Sequence, residues 1–273
     1  MSGPIFRFSR TYSLLQDEGY LIYSSLTYGL TQIRNGVITD KGSIYAALFN
    51  TGIGIERLQK IVYIIDYMFE NELRAPDEKQ IRKFGHELDV LHVKCKEIAL
   101  RYPSEGGNDQ FHEDDLIVKI ISFLSNFNNG TRYYNFNNLK LQKGSNPIRE
   151  WCEILFYAGT KNISKKKMES IMKMSSELGL KLSEVAISVR RGSDEYTLSH
   201  EEMLSATQIQ TEASKYVVKS ILEFLSEYRS LLSRMCHKAY FLGVHEPVIP
   251  QMQEFLDWVA PEPEFCLRKK KWP

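Results

Sequence analysis

A chain of 273 residues is long enough to bury a large core, as one big helical domain or two closely packed ones, without disulfide or metal staples. Hydrophobic residues make up 43% and charged residues 25%, which excludes the disordered and fibrous classes. With 35 Lys and Arg against 34 Asp and Glu, no global field draws the chain to nucleic acid or an anionic membrane, so any RNA site must be a local patch.

Helical periodicity opens at about Ser9 and runs to Arg34, with Leu14, Leu15, Tyr20, Leu21, Tyr23 and Leu26 on a broad apolar face; Asn35-Gly36 ends it. From about Ser43 to Asn71 apolar residues cover most of the circumference, Ile55, Leu58, Ile61, Val62, Ile65 and Met68 among them, so this helix is expected at the centre. Its polar positions Glu56, Lys60, Tyr63 and Tyr67 fall at steps of four, three and four, one stripe that must face something polar.

After Ala75-Pro76-Asp77 a short helix, a break at Gly85-His86 and a further helix through Ala99 are expected, then a loop from Pro103 to Asp109. A helix from His112 to Phe127 begins with Glu113, Asp114 and Asp115, which complement its dipole. Thr131 to Leu139 shows no regular periodicity yet concentrates Arg, Tyr, Phe and Asn; it reads as a loop that is either pinned in place or used. Helices over Pro147 to Tyr157 and Lys161 to Leu178 follow, the Lys165-Lys166-Lys167 run reading as a solvated face. The longest candidate, Ser205 to Leu242, places Val217, Ile221, Phe224, Tyr228, Leu231 and Met235 at alternating steps of four and three, a bundle seam.

Cys95, Cys152, Cys236 and Cys266 are widely spaced and form no C-x-x-C pair, so no zinc site is expected. No run of roughly 18 apolar residues occurs, and the expectation is a cytoplasmic chain with reduced thiols, no membrane partner and no cofactor. Gly52 and Gly54 follow no predicted strand, and H-E-x-x-H, G-x-S-x-G and Glu-x-x-His motifs are absent, which excludes the common nucleotide, hydrolase and di-metal sites.

Two stretches carry a family pattern. Gly54-Ile55-Glu56-Arg57-Leu58-Gln59-Lys60, the apolar helix through Met68 and then Phe84-Gly85-His86-Glu87-Leu88 resemble the core of the HEPN superfamily, where a Glu- and Lys-bearing central helix precedes a Gly-His-acidic-Leu helix start. Arg132-Tyr133-Tyr134-Asn135-Phe136 resembles an RYYN segment of bacterial members. The resemblance covers roughly residues 45–140. It implies an all-α helical bundle acting as a homodimer, a metal-independent endoribonuclease or RNA-binding protein of a toxin or anti-phage defence system.

The chain departs from that family in one respect: no Arg is followed by His after four to six intervening residues, the separations being three for Arg82 and His86, two for Arg234 and His237, and eight for Arg191 and His200. Either a divergent set serves catalysis or the protein does not cut RNA. The divergent set consists of Arg132, His86, Tyr133 and Asn135 as catalytic candidates, with Glu56, Lys60, Tyr63 and Tyr134 as binding candidates and no metal. Each has a plainer alternative: His86 closing a helix start, Glu56 and Lys60 an ordinary helix pair, the tyrosines plugging a core end, Arg132 capping carbonyls. Cys236 and His237, adjacent on a helix, point about 100° apart and read as packing.

The architecture expected is an all-α bundle of about seven to nine helices. Residues 1–260 form one domain, with an HEPN-like core at about 45–140 completed by helices over 147–242, and residues 261–273 a flexible basic tail. The function expected is RNA binding, with cleavage if the divergent set is competent. The competing expectation is a non-catalytic helical module that binds a protein partner in a multi-protein complex.

Overall fold

A computed structural model of the chain describes residues 8–37, 39–83, 85–104, 111, 114–140, 144–184, 198–242, 247–259 and 262–273. Among them every regular element is helical: α1 (Arg10–Asn35), α2 (Lys41–Glu70), α3 (Glu78–Arg82), α4 (Leu88–Ala99), α5 (Asp115–Asn129), α6 (Tyr134–Leu139), α7 (Pro147–Asn162), α8 (Lys165–Ser183), α9 (His200–Phe241) and α10 (Pro263–Arg268), with single 3-10 turns at Thr131–Tyr133 and Met252–Leu256. The protein is an all-α helical bundle. No helix among the described residues is long and apolar enough to cross a membrane.

Side-chain caps explain most helix starts. Ser9, Asp40, Asp114 and Ser164 each accept a hydrogen bond from a backbone N–H of the first turn, and Asn146 does so just before Pro147. Asp77 with Gln80, and Ser199 with Glu202, form reciprocal capping boxes at α3 and α9.

Helix α2 lies at the centre, against α1, α4, α5, α7 and α9, and α9 in turn packs on α1, α7, α8 and α10. The seam residues Val217, Ile221, Phe224, Tyr228, Leu231 and Met235 are all buried in one core that runs through both helices. Helices α1 and α2 run antiparallel in close contact that only glycine permits. A Cβ on Gly29 would collide with the Thr51 side chain and come within 2.8 Å of its backbone nitrogen, and one on Gly54 would lie 2.7 Å from the Leu26 side chain.

Two polar clusters are sealed into the core. Gln59 Nε2 donates to the Leu88 carbonyl at 3.1 Å and to Tyr228 Oη at 3.2 Å, and His92 Nδ1 lies 2.7 Å from the same hydroxyl. The Asp66 carboxylate accepts from Arg101 and, at 3.0 Å, from Tyr102 Oη; burial pushes its pKa up against the pull of those two partners.

Two expectations are corrected. Tyr134–Leu139 is a short helix following a 3-10 turn, not a loop; at six residues it is too brief for apolar periodicity to register. The C-terminal segment, expected to be flexible, is docked: Cys266 and Trp272 are buried, the Trp272 N–H donates to Thr31 Oγ1 at 3.0 Å, and Asn35 Nδ2 donates to the Lys270 carbonyl at 2.6 Å. A single large indole supplies the apolar area that holds the basic run in place. Pro103 is described, whereas residues 105–110 and Glu113 lie outside the described residues.

Two outcomes follow from this packing. Gly29→Ala is expected to lower stability by about 1–3 kcal/mol, read as a drop in the denaturant midpoint with unchanged slope, because overpacking at the α1–α2 contact outweighs the helix-propensity gain. Alkylation at pH 8 is expected to label the partly exposed Cys152 first, since burial pushes Cys95 up to about 12 and Cys236 up to about 11 and raises Cys266. Rapid labelling of Cys266, located by peptide mass, would show that the C-terminal segment is undocked.

Candidate functional site

The packing of α2 against its neighbours leaves one stripe turned outward, and Ile53, Glu56, Arg57, Lys60, Tyr63 and Tyr67 along it are all partly buried rather than free in solvent. What covers the first part of that stripe is a pocket of about 600 Å³, walled by α1 through Glu18, by α3 through Ile81, by the α3–α4 turn through His86, and by the 3-10 turn through Arg132 and Tyr133.

Glu56 is the hub of the floor. Its Oε1 accepts from Lys60 Nζ at 2.8 Å and lies 3.0 Å from His86 Nδ1. Its side chain is 12% exposed while that of His86 is 59% exposed, so the carboxylate is the sheltered partner and the imidazole reaches into the opening. With Nδ1 directed at Glu56, the Nε2 edge is left for whatever enters. Gly85 places the ring: it sits at φ 54°, in the left-handed region, and brings the chain over α2 just before α4 begins.

Arg132 arrives from the opposite wall. The end of α5 approaches α2 so closely that a Cβ on Gly52 would meet the Asn128 amide, with its nitrogen at 3.0 Å. The turn that follows lays the Arg132 guanidinium over the rings of Tyr133, 5.0 Å to the centroid, and Phe49, 5.8 Å. Its Nε is buried without a hydrogen-bond partner, and among the described residues it meets no carboxylate. On the α1 side Arg57 pairs with Glu18 at 2.5 Å. Two ion pairs thus cancel, and among the described residues Arg132 contributes the one uncompensated positive charge of the pocket.

Of the residues singled out from sequence, Glu56, Lys60, His86, Arg132 and Tyr133 line this one pocket. Tyr63, Tyr134 and Asn135 do not. Tyr63 lies further along the stripe and packs with Tyr67 at 6.3 Å between centroids. Tyr134 is partly buried near Tyr45, and Asn135 is exposed on α6. Sequence reasoning missed Glu18, Arg57 and Phe49; their membership depends on the α1–α2 register, which no local pattern encodes. Arg57, one residue from Glu56 on the same outward face, was the available signal.

Cys236 and His237 point apart, but only Cys236 is the core-packing residue expected; His237 is exposed. Cys236 is buried with its thiol donating to the Pro250 carbonyl at 3.4 Å, whereas the exposed His237 ring packs edge-on against Phe241. Lys165, Lys166 and Lys167 are exposed at the start of α8. Among the described residues no three His, Cys, Asp or Glu side chains converge as metal ligands. No family model matches the chain, and no curated protein or solved structure matches it either.

The arrangement offers a histidine oriented by a carboxylate, three cations within the same cavity, two of them paired with acids, and an exposed tyrosine ring at its rim. Such a set can accept a proton, stabilise an anion and stack on a planar group.

Proposed function

We propose that this pocket is a phosphodiester site for RNA, and that the protein binds RNA and cleaves it without a metal. The HEPN resemblance extends the reading to a homodimer in a bacterial toxin or anti-phage defence system. The observation that carries it is Arg132: a guanidinium held on aromatic rings with no carboxylate among the described residues to neutralise it, in one cavity with the Glu56-oriented His86.

In this reading neutral His86 takes the proton of a ribose 2′-hydroxyl at Nε2 while Glu56 steadies Nδ1 and stabilises the imidazolium that forms. The 2′-oxygen forms a bond to phosphorus, and Arg132 faces the charge that builds on the phosphorane oxygens. The bond from phosphorus to the 5′-oxygen then breaks, and that oxygen takes a proton from solvent. A 2′,3′-cyclic phosphate and a 5′-hydroxyl result, and the imidazolium returns its proton to water. Tyr133, half exposed at the rim, supplies a face for a neighbouring base.

One observation favours a second reading. Leu14, Leu21 and Tyr28, at seven-residue steps along α1, are 54%, 45% and 50% exposed, a stripe suited to a helical protein partner. With the family's Arg and His spacing absent, this supports a non-catalytic interaction module.

Incubating the protein with total RNA or tRNA in the presence of a chelator separates the two. Cleavage is expected, reduced by about 10²–10⁴-fold in His86→Ala and by about 10²–10³-fold in Arg132→Ala, with both variants unfolding at the temperature of the parent. Equal cleavage, or equal silence, by all three proteins discards the pocket as a nuclease site. Silence accompanied by stoichiometric capture of one protein, lost in Leu21→Glu, assigns the module instead.

A further inference from the structure

A second cleft lies on the C-terminal third of α9. Ser226, Arg229, Ser230, Ser233, Arg234 and Lys238 recur at steps of three and four and share one face, which spans about 18 Å of helix. Opposite this face stand Arg101, Tyr102 and the chain just beyond α4, with Gln253 closing one end; the enclosed volume is about 790 Å³. Among the described residues no acidic side chain lines it.

The cations differ in what holds them. Arg101 is neutralised by Asp66 and Glu70, and Arg229 by Asp257 at 2.8 Å. Arg234 and Lys238 meet no carboxylate among the described residues. Arg234 is fixed by hydrogen bonds instead, Nε donating to the Tyr102 carbonyl at 2.6 Å and one terminal nitrogen to Ser230 Oγ at 2.8 Å. Lys238 Nζ rests over the rings of Phe69 and Tyr102, 4.8 and 4.9 Å from their centroids. Helix-dipole stabilisation accounts for a cation only within the last turn, so it covers Lys238 but not Arg234, two turns from the helix end. Two positive charges are therefore held among serine hydroxyls in a cleft that no acid of the described residues lines. Exposed Ser233, one residue before Arg234, and exposed His237 also line the cleft, and the Gln253 Oε1 is buried without a partner.

We propose that this cleft binds a phosphate chain: an anion bearing two or more charges, bridged by Arg234 and Lys238 and hydrogen-bonded by the serines. Phosphate fits better than carboxylate because a guanidinium and an ammonium about a turn apart, flanked by hydroxyls, match several acceptor oxygens spread over more than one centre. The site is separate from the pocket around Arg132 and does not depend on the reading given to it.

The test is calorimetric titration of the full chain with inorganic tripolyphosphate, ATP and a short single-stranded oligonucleotide, at matched ionic strength. Saturable tripolyphosphate binding is expected, weakened about tenfold by Lys238→Ala, the loss of one charged contact. It is expected to be abolished by Ser233→Asp, which adds a carboxylate while removing no contact of the fold, and to be unchanged in Arg132→Ala. ATP binding as tightly as tripolyphosphate would assign the chain to a free nucleotide, and tighter binding of the oligonucleotide, equally lost in Ser233→Asp, to a strand backbone; both support the site. Failure of all three ligands to bind, or binding that survives Ser233→Asp in a variant with parental unfolding temperature, overturns it.

Discussion

The close approach of α1 to α2 is the constraint on which the rest of the molecule depends. Gly29 against Thr51 and Gly54 against Leu26 let the two backbones meet where any larger residue would hold them apart. That contact fixes the rotation of α2 about its own axis. With Ile55, Leu58, Val62 and Ile65 driven inward, the residues a half-turn away, Glu56, Arg57 and Lys60, have nowhere to go but the outer stripe. The same contact fixes the axial register, which brings Glu18 opposite Arg57. A pocket whose floor is one helix and whose wall is another inherits its geometry from the packing between them.

Polar ties in the core complete the specification. The Tyr228 hydroxyl, fully buried on α9, is met by Gln59 from α2 and His92 from α4. Hydrophobic packing alone tolerates sliding of one helix along another, whereas a buried hydroxyl left without its partner costs about 1–3 kcal/mol. Three helices are thereby held to one mutual register. Asp66 does the same at the far end of α2: its carboxylate is buried, so its attachment to Arg101 and Tyr102 is obligatory, and Arg101 in turn anchors the α4 end of the basic cleft.

What the sequence made legible follows from how far each signal reaches. Helices α1, α2, α5 and α9 are long and strongly periodic, so their extents were readable from local spacing to within a few residues, as were the inward faces of α2, α5 and α9, and Glu56 with Lys60 stood out by falling together on a stripe; the apolar face read on α1 was wrong in part, since Leu14, Tyr20 and Leu21 are exposed and Leu15 and Leu26 are buried. The partnership of His86 with Glu56 was not in the spacing; it was suggested by resemblance. Residues whose role depends on a neighbour distant in sequence, Glu18 and Phe49, gave no local sign. Tyr63 was grouped with Glu56 because both lie on the stripe, but the stripe extends about 16 Å from Glu56 to Tyr67, further than the pocket runs. The docked C-terminal segment misled for a compositional reason: four consecutive basic residues dominate the local text, while Trp272 and Cys266, which supply the burial, are isolated in it.

Aromatic content is high for a helical bundle, and the uncompensated cations give it a use beyond filling the core. Arg132 lies over Tyr133 and Phe49, and Lys238 lies over Phe69 and Tyr102. A ring face stabilises a cation by about 0.5–1 kcal/mol at exposed sites, and it does so without cancelling the charge. A carboxylate in the same place would hold the side chain more firmly and erase the field it projects. Where a charge must be positioned yet kept available to an incoming anion, an aromatic support is the arrangement that does both. Arg57 and Lys60 show the contrast within a single pocket: each is held by an acid, and neither adds to the net charge a ligand would meet.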